Sequence, residues 1–440
     1  MTYLAIIVLV ESASKILYRL AFFATLSVVV FSLFAIIFPN FLLVTFSTYQ
    51  TNLEPFESSI WLVPIVSSNS VLLIIGFAYY RKKLPLQIYK AIEFVLNFEI
   101  SKKTALIAGI IILVFYIGFS LPELAIDEET QWSDMIRLQE ALDIWPSTDH
   151  EDQVVNEYNS RYVRMFLLDA SLDIFQNVKI LPFVASILLA VVTFFLTYQI
   201  TQKRFAGMIS MVILLQSHTF LHFDTIAVYD NFWVLFYVAS LYVINRKWQY
   251  SSSLYLLSIF SKVFTVLFFL PSIYYICRAS ISRRKKLYTI ASYMISLIII
   301  LVVLSMPSSI SYCSFSNNAT SCEPLVLSSF NAGGDVYGGA LNFELTEFFL
   351  AFNAMGLALR YDLVIVLSLL PLTLGLFFKF RKENTKKVDT IFVLILTALL
   401  AGPVLAILTS FQPVPILPYR FLPLIVFVAV GIGVLLSKKN

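Results

Sequence analysis

Ten long apolar runs constrain this chain more than any other feature. They lie at 20–46, 59–80, 104–121, 178–200, 205–223, 230–245, 287–306, 363–380, 390–410 and 419–437. Each approaches the ~20 mostly apolar residues that a helix needs to cross a bilayer. A soluble core has no room for so much apolar surface. Of the 440 residues, 59% are hydrophobic and 13% are charged, where soluble domains carry about 25% charged residues. Lipid must cover part of the surface, which excludes a soluble enzyme, a disordered chain and a nucleic-acid binder. The 40 Phe and 23 Tyr suit a multi-span protein with aromatic edges.

Basic residues set the expected orientation, because they collect on the cytoplasmic side of short loops. Lys15 and Arg19 precede the first span; Arg81, Lys82, Lys83, Lys90, Lys102 and Lys103 separate the second from the third. Lys203, Arg204, Arg246, Lys247, Arg278, Arg283, Arg284, Lys285 and Lys286 follow at later turns, then Arg381, Lys382, Lys386 and Lys387, and finally Lys438 and Lys439. These clusters fall on one side only if the further apolar stretch 252–277 enters and leaves by the same face. It is therefore read as a short hairpin with Ser261 and Lys262 near its tip. The expected architecture is all-α: a polytopic helical membrane protein with ten full spans, one hairpin and both termini cytoplasmic. The start, MTYLAIIVLVES, has no basic segment and no small-residue cleavage site, so no cleaved signal peptide is expected.

Three regions follow: residues 1–103 with two N-terminal spans and a basic loop, a core at 104–306, and C-terminal spans at 307–440. The extracytoplasmic face then holds 122–178, the short link 223–230, and the loops 307–362 and 411–419. The first contains nearly half of the 27 acidic residues, from Glu123 to Asp173, against only Arg137, Arg161 and Arg164. Within it, 127–143 and 153–175 are expected to form amphipathic helices on the membrane surface. Their apolar stripes would be Trp132, Met135, Ile136 and Leu142, then Val154, Tyr158, Tyr162, Phe166, Leu167 and Phe175.

Several polar residues stand where chemistry is possible. Asp127 and Glu128 follow the third span by about one turn, where an ionised, partly desolvated carboxylate can act as a general base toward a hydroxyl; acids there also suit a helix N-terminus. Asp230 opens the sixth span in FDTIAVYDNFWVLF, and a carboxylate at a span's mouth is costly when buried and often functional. Lys262, in LLSIFSKVFTVLFFLP, has no charged neighbour in sequence and can hold an anion such as phosphate as a point charge, or snorkel to the interface. Arg360 and Arg420 both open spans on the outer face, against the positive-inside trend. Either suits bidentate pairing with phosphate or contact with lipid headgroups. His218 and His222, four apart, form a candidate metal site with Asp224 or Asp127; an ordinary interfacial pair is the plainer reading, and His150 is expected in solvent. Cys313 and Cys322 bracket SFSNNATS on a face that permits a disulfide, and Asn318–Thr320 is a glycosylation sequon. Cys277 is expected as an apolar residue at the cytoplasmic edge. Ala332-Gly333-Gly334-Asp335 lacks the Gly-x-Gly-Asp of intramembrane aspartyl proteases, and no His-Glu-x-x-His, P-loop or Gly-x-Gly-x-x-Gly occurs.

The order of these features resembles the GT-C membrane glycosyltransferases, especially the protein O-mannosyltransferase and aminoarabinose-transferase branch. The resemblance rests on LPELAIDEETQWSDM after the first core span, then NVKILPFVASILLAVVTFFLTYQITQKRFAG, a span that runs into a basic turn. Asp230 in IAVYDNFWVLFYVASLYV follows, with Lys262 and Pro271 after a basic turn, and Arg420-Phe421-Leu422-Pro423 before the last span. It covers 104–300 well and 358–437 loosely. Two extra spans precede the usual first one, and the Trp-Trp-Asp motif of oligosaccharyltransferase subunits is absent. The resemblance implies inverting transfer of one sugar from a polyprenyl- or dolichyl-phosphate donor to a hydroxyl of a protein, lipid or glycan, at the outer face of the cell membrane. Asp127, with Glu128, would remove the acceptor's proton. Asp230 would fix the acceptor or a divalent metal ion, the one cofactor the sequence leaves room for. Lys262, Arg420 and Arg360 would neutralise the leaving lipid phosphate. The expected partners are that donor, the acceptor and membrane lipid, with no nucleic acid. The alternative is a polytopic transporter or lipid flippase, which needs internal repeats and charges within spans; neither is evident apart from Lys262.

Overall fold

The computed structural model describes residues 2–46, 53–126, 132–146, 161–305, 312–316, 319–323, 345–380, 388–409 and 418–437. Among these the chain is a helical bundle, consistent with a helical membrane protein. Six helices are long and apolar enough to cross a membrane: Lys15–Ile37, Leu62–Tyr80, Lys102–Ala125, Ile180–Thr201, Leu363–Phe380 and Pro418–Leu436. The other expected spans are helical too, at Arg204–Leu215, Phe232–Lys247, Arg283–Ser305 and Val388–Thr409.

The bundle is built around Leu422–Leu436, whose side chains from Leu422 to Gly431 are all buried. It packs against Ile180–Thr201, Arg204–Leu215, Leu363–Phe380 and Val388–Thr409. Close approach there requires glycine: a Cβ at Gly433 would lie 2.7 Å from the Ala206 carbonyl oxygen and 2.1 Å from Ser210 Oγ. Small residues at such contacts let apolar helices associate where no water drives them together. The N-terminal helix packs on the C-terminal third. Tyr18 donates to the Phe377 carbonyl at 3.1 Å, Thr25 donates to the Phe392 carbonyl at 2.9 Å, and Phe22 stacks on Phe377 at 3.8 Å. By contrast, Leu62–Tyr80 and Lys102–Ser120 leave most of their apolar side chains exposed, as lipid-facing helices do.

Three local readings change. The run 20–46 is two helices, Thr2–Ile37 and Pro39–Phe46, because Pro39 cannot continue the backbone ladder. The run 205–223 likewise divides. Arg204–Leu215 has 12 residues, about 18 Å at 1.5 Å per residue, and Ser217 then caps a separate turn, His218–His222, accepting from Phe220 N–H at 3.1 Å. The loop 307–362 contains a 15-residue helix, Leu345–Leu359, that buries Ala351, Phe352, Met355 and Leu359; its apolar run is too short to read as a span. The link 223–230 packs into the bundle, every residue from Phe223 to Val228 being buried. Helices form here at Ser133–Ile144, which buries Met135 and Leu142 of the expected stripe together with Leu138 and Ala141, and at Tyr162–Phe175, which buries Arg164, Met165, Leu168 and Ser171. Ile136, Tyr162, Phe166 and Phe175 face outward.

Near the membrane-spanning helices' basic ends, Lys203 Nζ donates to the Leu96 carbonyl at 3.1 Å, and Arg204 N–H donates to Glu99 at 3.0 Å. Ser280 N–H donates to Asn245 Oδ1 at 3.0 Å, so the chain leaves 251–278 beside the point where it entered. Tyr312–Ser316 and Ala319–Glu323 pair antiparallel, with Cys313 opposite Cys322. Directly opposed residues in such a ladder have Cα atoms ~4.5–5.5 Å apart, a spacing that a disulfide can span; the two side chains lie outside the described set.

Candidate functional site

The end of the bundle opposite those basic contacts gathers the unusual polar side chains. Ser251–Ser261 stops at Lys262, whose backbone is extended (φ −158°, ψ 114°), and Val263–Phe268 turns back as a 3-10 helix. Ser258 Oγ pins this tip, donating to the Trp233 carbonyl at 2.6 Å, with the Thr265 hydroxyl 3.1 Å away. Lys262 is thereby delivered to two aromatic faces. Its Nζ lies 3.8 Å from the ring centroid of Tyr419 and 5.3 Å from that of Trp233. Such cation–π contacts contribute up to about 2 kcal/mol when desolvated.

Tyr419 belongs to the turn Pro418–Phe421, which opens the central helix with Pro423 in its first turn. The Arg420 guanidinium lies 5.9 Å from the Tyr419 ring. Tyr419 also stacks on Tyr229 at 4.3 Å, and the Tyr229 hydroxyl donates to Asp134 at 2.7 Å. The surface helix Ser133–Ile144 is thus tied to the last span through two tyrosines.

Arg161, at the start of Tyr162–Phe175, completes the cluster. Arg420, Arg161 and Asp230 all lie within electrostatic reach of Lys262. Asp230 is engaged elsewhere: Oδ2 accepts from Arg164 Nε at 2.6 Å, and Oδ1 accepts from Phe232 N–H at 3.2 Å. Arg164 also donates to the Val228 carbonyl at 2.7 Å. Two cations, Lys262 and Arg420, thus flank the buried Tyr419, with Arg161 within electrostatic reach. The Asp230 carboxylate is already bound to Arg164.

The sequence singled out Lys262, Arg420 and Asp230, and these meet. It passed over Arg161, Arg164 and Tyr419; the only signal was that two of the three bases in the acidic 122–178 segment lie three residues apart. Arg360 sits at the same end, just after the helix Leu345–Leu359 that packs against the Pro418–Phe421 turn, but its described side-chain contacts are with Tyr361. It donates to the Tyr361 hydroxyl at 2.6 Å and lies 4.7 Å from that ring. Asp127 and Glu128 lie outside the described residues, as does His150. The preceding residues reach this end: Asn177 Nδ2 donates to the Leu124 carbonyl at 3.1 Å, and Lys179 Nζ donates to the Ile126 carbonyl.

His218, His222 and Asp224 do not form a metal site. The imidazoles stack on each other with centroids 5.8 Å apart and are exposed. Asp224 points into the bundle, where Oδ2 accepts from the Tyr116 hydroxyl at 2.7 Å and Ser120 Oγ at 2.8 Å. Among the described residues, no group of three or more His, Cys, Asp or Glu side chains is placed to hold a metal ion. Burial pushes the Asp224 carboxyl up to about 7, against the pull of its two hydroxyl donors. Asp362 has a similar structural role: it accepts from Ser217 Oγ, from Thr219 N–H at 3.1 Å and from Ile365 N–H at 3.3 Å.

No family model, no curated protein and no solved structure matches this chain.

Proposed function

We propose that the protein is a membrane glycosyltransferase that moves one sugar from a polyprenyl- or dolichyl-phosphate to an acceptor hydroxyl at the extracytoplasmic face. The observation that carries this reading is the approach of Lys262 and Arg420 to the same buried Tyr419 ring. Like charges in a partly desolvated place repel one another. The arrangement is favourable when an anion occupies it, and preplaced cations in a water-poor site stabilise developing charge best. A lipid phosphate suits both its charge and its surroundings, since the hydrocarbon tail remains among lipid-facing helices.

In the proposed reaction the acceptor oxygen attacks the anomeric carbon, and the bond from that carbon to the phosphate oxygen breaks with inversion. The hydroxyl proton passes to the carboxylate of Asp127. The polyprenyl phosphate leaves with the bonding electrons, its charge met by Lys262 and Arg420. The donor's sugar–phosphate bond supplies the driving force, in keeping with the absence of nucleotide-binding motifs. Asp230 acts indirectly: with Arg164 it holds the start of Phe232–Lys247, and with it Trp233, against the hairpin tip.

The test is incubation of purified protein with a panel of polyprenyl-phosphate sugars and acceptors, following released polyprenyl phosphate. Release by the wild type is expected, with a drop of at least about tenfold in Lys262→Gln, the scale of one lost charged hydrogen bond. Movement of the lipid across vesicles without any covalent product would overturn the proposal in favour of a flippase.

A further inference from the structure

A cavity of about 340 Å³ lies at the other end of the bundle, where Ile180–Thr201, Phe232–Lys247 and Phe269–Arg278 finish. Gln199, Gln202, Asn245, Arg246, Tyr275 and Arg278 line it. Its size falls within the range of small-molecule sites, ~300–1,000 Å³. No Asp or Glu lines it. The two guanidinium groups differ in their surroundings. Arg278 is nearly buried and salt-bridged to the fully buried Asp389. Arg246 is exposed and stacks over Tyr242 at 5.2 Å, and among the described residues no carboxylate pairs with it. Gln199 adds an independent requirement: its buried Oε1 has no hydrogen-bond donor among the described residues. A buried acceptor left unmet is destabilising. An occupant that satisfies both groups must bring negative charge for Arg246 and, with the Gln199 amide turned toward the cavity, a donor for its Oε1.

We infer that this cavity binds a phosphate group carried on a hydroxylated head group, as in a glycerol phosphate. The phosphate pairs with Arg246 and a neighbouring hydroxyl donates to Gln199 Oε1. Inorganic phosphate alone would leave most of the space unfilled. The source is a phospholipid of the adjacent leaflet or a soluble glycerol phosphate, and either presents the same chemistry. The site is separate from the Lys262 cluster and does not depend on the proposed glycosyl transfer.

The experiment uses the full-length protein in detergent and measures retained lipid by native mass spectrometry. Phosphatidylglycerol, phosphatidylcholine and soluble sn-glycerol 3-phosphate are the probes, and melting of each lipid-free variant reports its folding. Phosphatidylglycerol is expected to outlast phosphatidylcholine. Arg246→Gln should weaken its retention about tenfold, as expected for one charged hydrogen bond, while the exposed Lys285→Gln leaves it unchanged. Displacement by glycerol phosphate identifies a soluble source; persistence identifies the lipid. Equal loss in Arg246→Gln and Lys285→Gln, or no preference for the anionic probe, overturns the inference. If Arg246→Gln melts early, Gln199→Leu provides the second arm, and full retention in that variant also overturns it.

Discussion

Replacing Arg164 with alanine leaves the Asp230 carboxylate buried without its guanidinium. Breaking a buried pair from one side costs about 3–5 kcal/mol, so Arg164→Ala should melt far below the wild type in detergent. Replacing both members with apolar residues of similar volume should recover much of the loss. Equal melting of the single variant and the wild type would show that the pair is not holding the start of Phe232–Lys247. Asp224 gives a pH signature of opposite sign from most carboxylates. Its folded pKa of about 7 lies above the ~3.9 of an unfolded Asp, so the folded state keeps a proton that the unfolded chain releases. Its contribution is fully present below about pH 4 and is lost as pH rises toward 7. Across that window Asp224→Asn should flatten the decline of melting temperature; an unchanged slope would contradict the account. At this scale the sequence was informative where a charge stood out of place. Lys262 in an apolar run and Arg420 after a Pro-rich loop both pointed to the cluster. Arg161 sits in an ordinary polar stretch, and only tertiary contact brings it to Tyr419's neighbourhood.

Among elements, apolar length located most helices, but it did not say which way they face. In Tyr162–Phe175 the apolar stripe Tyr162, Phe166 and Phe175 is exposed, while Arg164 and Ser171 are buried. Lipid reverses the soluble rule: the most apolar face suits the membrane, and polar groups find partners inside. The same limit explains Leu345–Leu359, whose 15 residues fall short of a span, and the separate His218–His222 turn, which depends on Ser217 and distant Asp362. The central helix yields a sharper test. Gly433→Ala forces a methyl group toward the Ala206 backbone, which cannot swing aside as a side chain can. A destabilisation of about 1–3 kcal/mol is expected, as for an overpacked core, read as a lower melting temperature. Gly118→Ala, where nothing lies within 4 Å, should melt like the wild type. If both variants behave alike, the close packing around Gly433 is wrong.

For the molecule as a whole, the proposed chemistry needs residues far apart in sequence to divide two tasks at one end of the bundle. Lys262 would hold the donor's phosphate, and Asp127 would take the acceptor's proton. The hairpin makes this division possible, because entry and exit at one end leave its tip at the other, beside Tyr419. That arrangement followed in outline from where the basic residues fall along the chain; the aromatic cradle around Lys262 did not, since Trp233 and Tyr419 become neighbours only after the last span packs. The most direct measurement compares donor binding with turnover in purified wild type, Asp127→Asn and Lys262→Gln, using a fluorescent polyprenyl-phosphate sugar. The account predicts that Asp127→Asn binds the donor like the wild type and releases no polyprenyl phosphate, whereas Lys262→Gln binds at least about tenfold more weakly. Undiminished donor binding by Lys262→Gln, or near-normal turnover by Asp127→Asn, would contradict it.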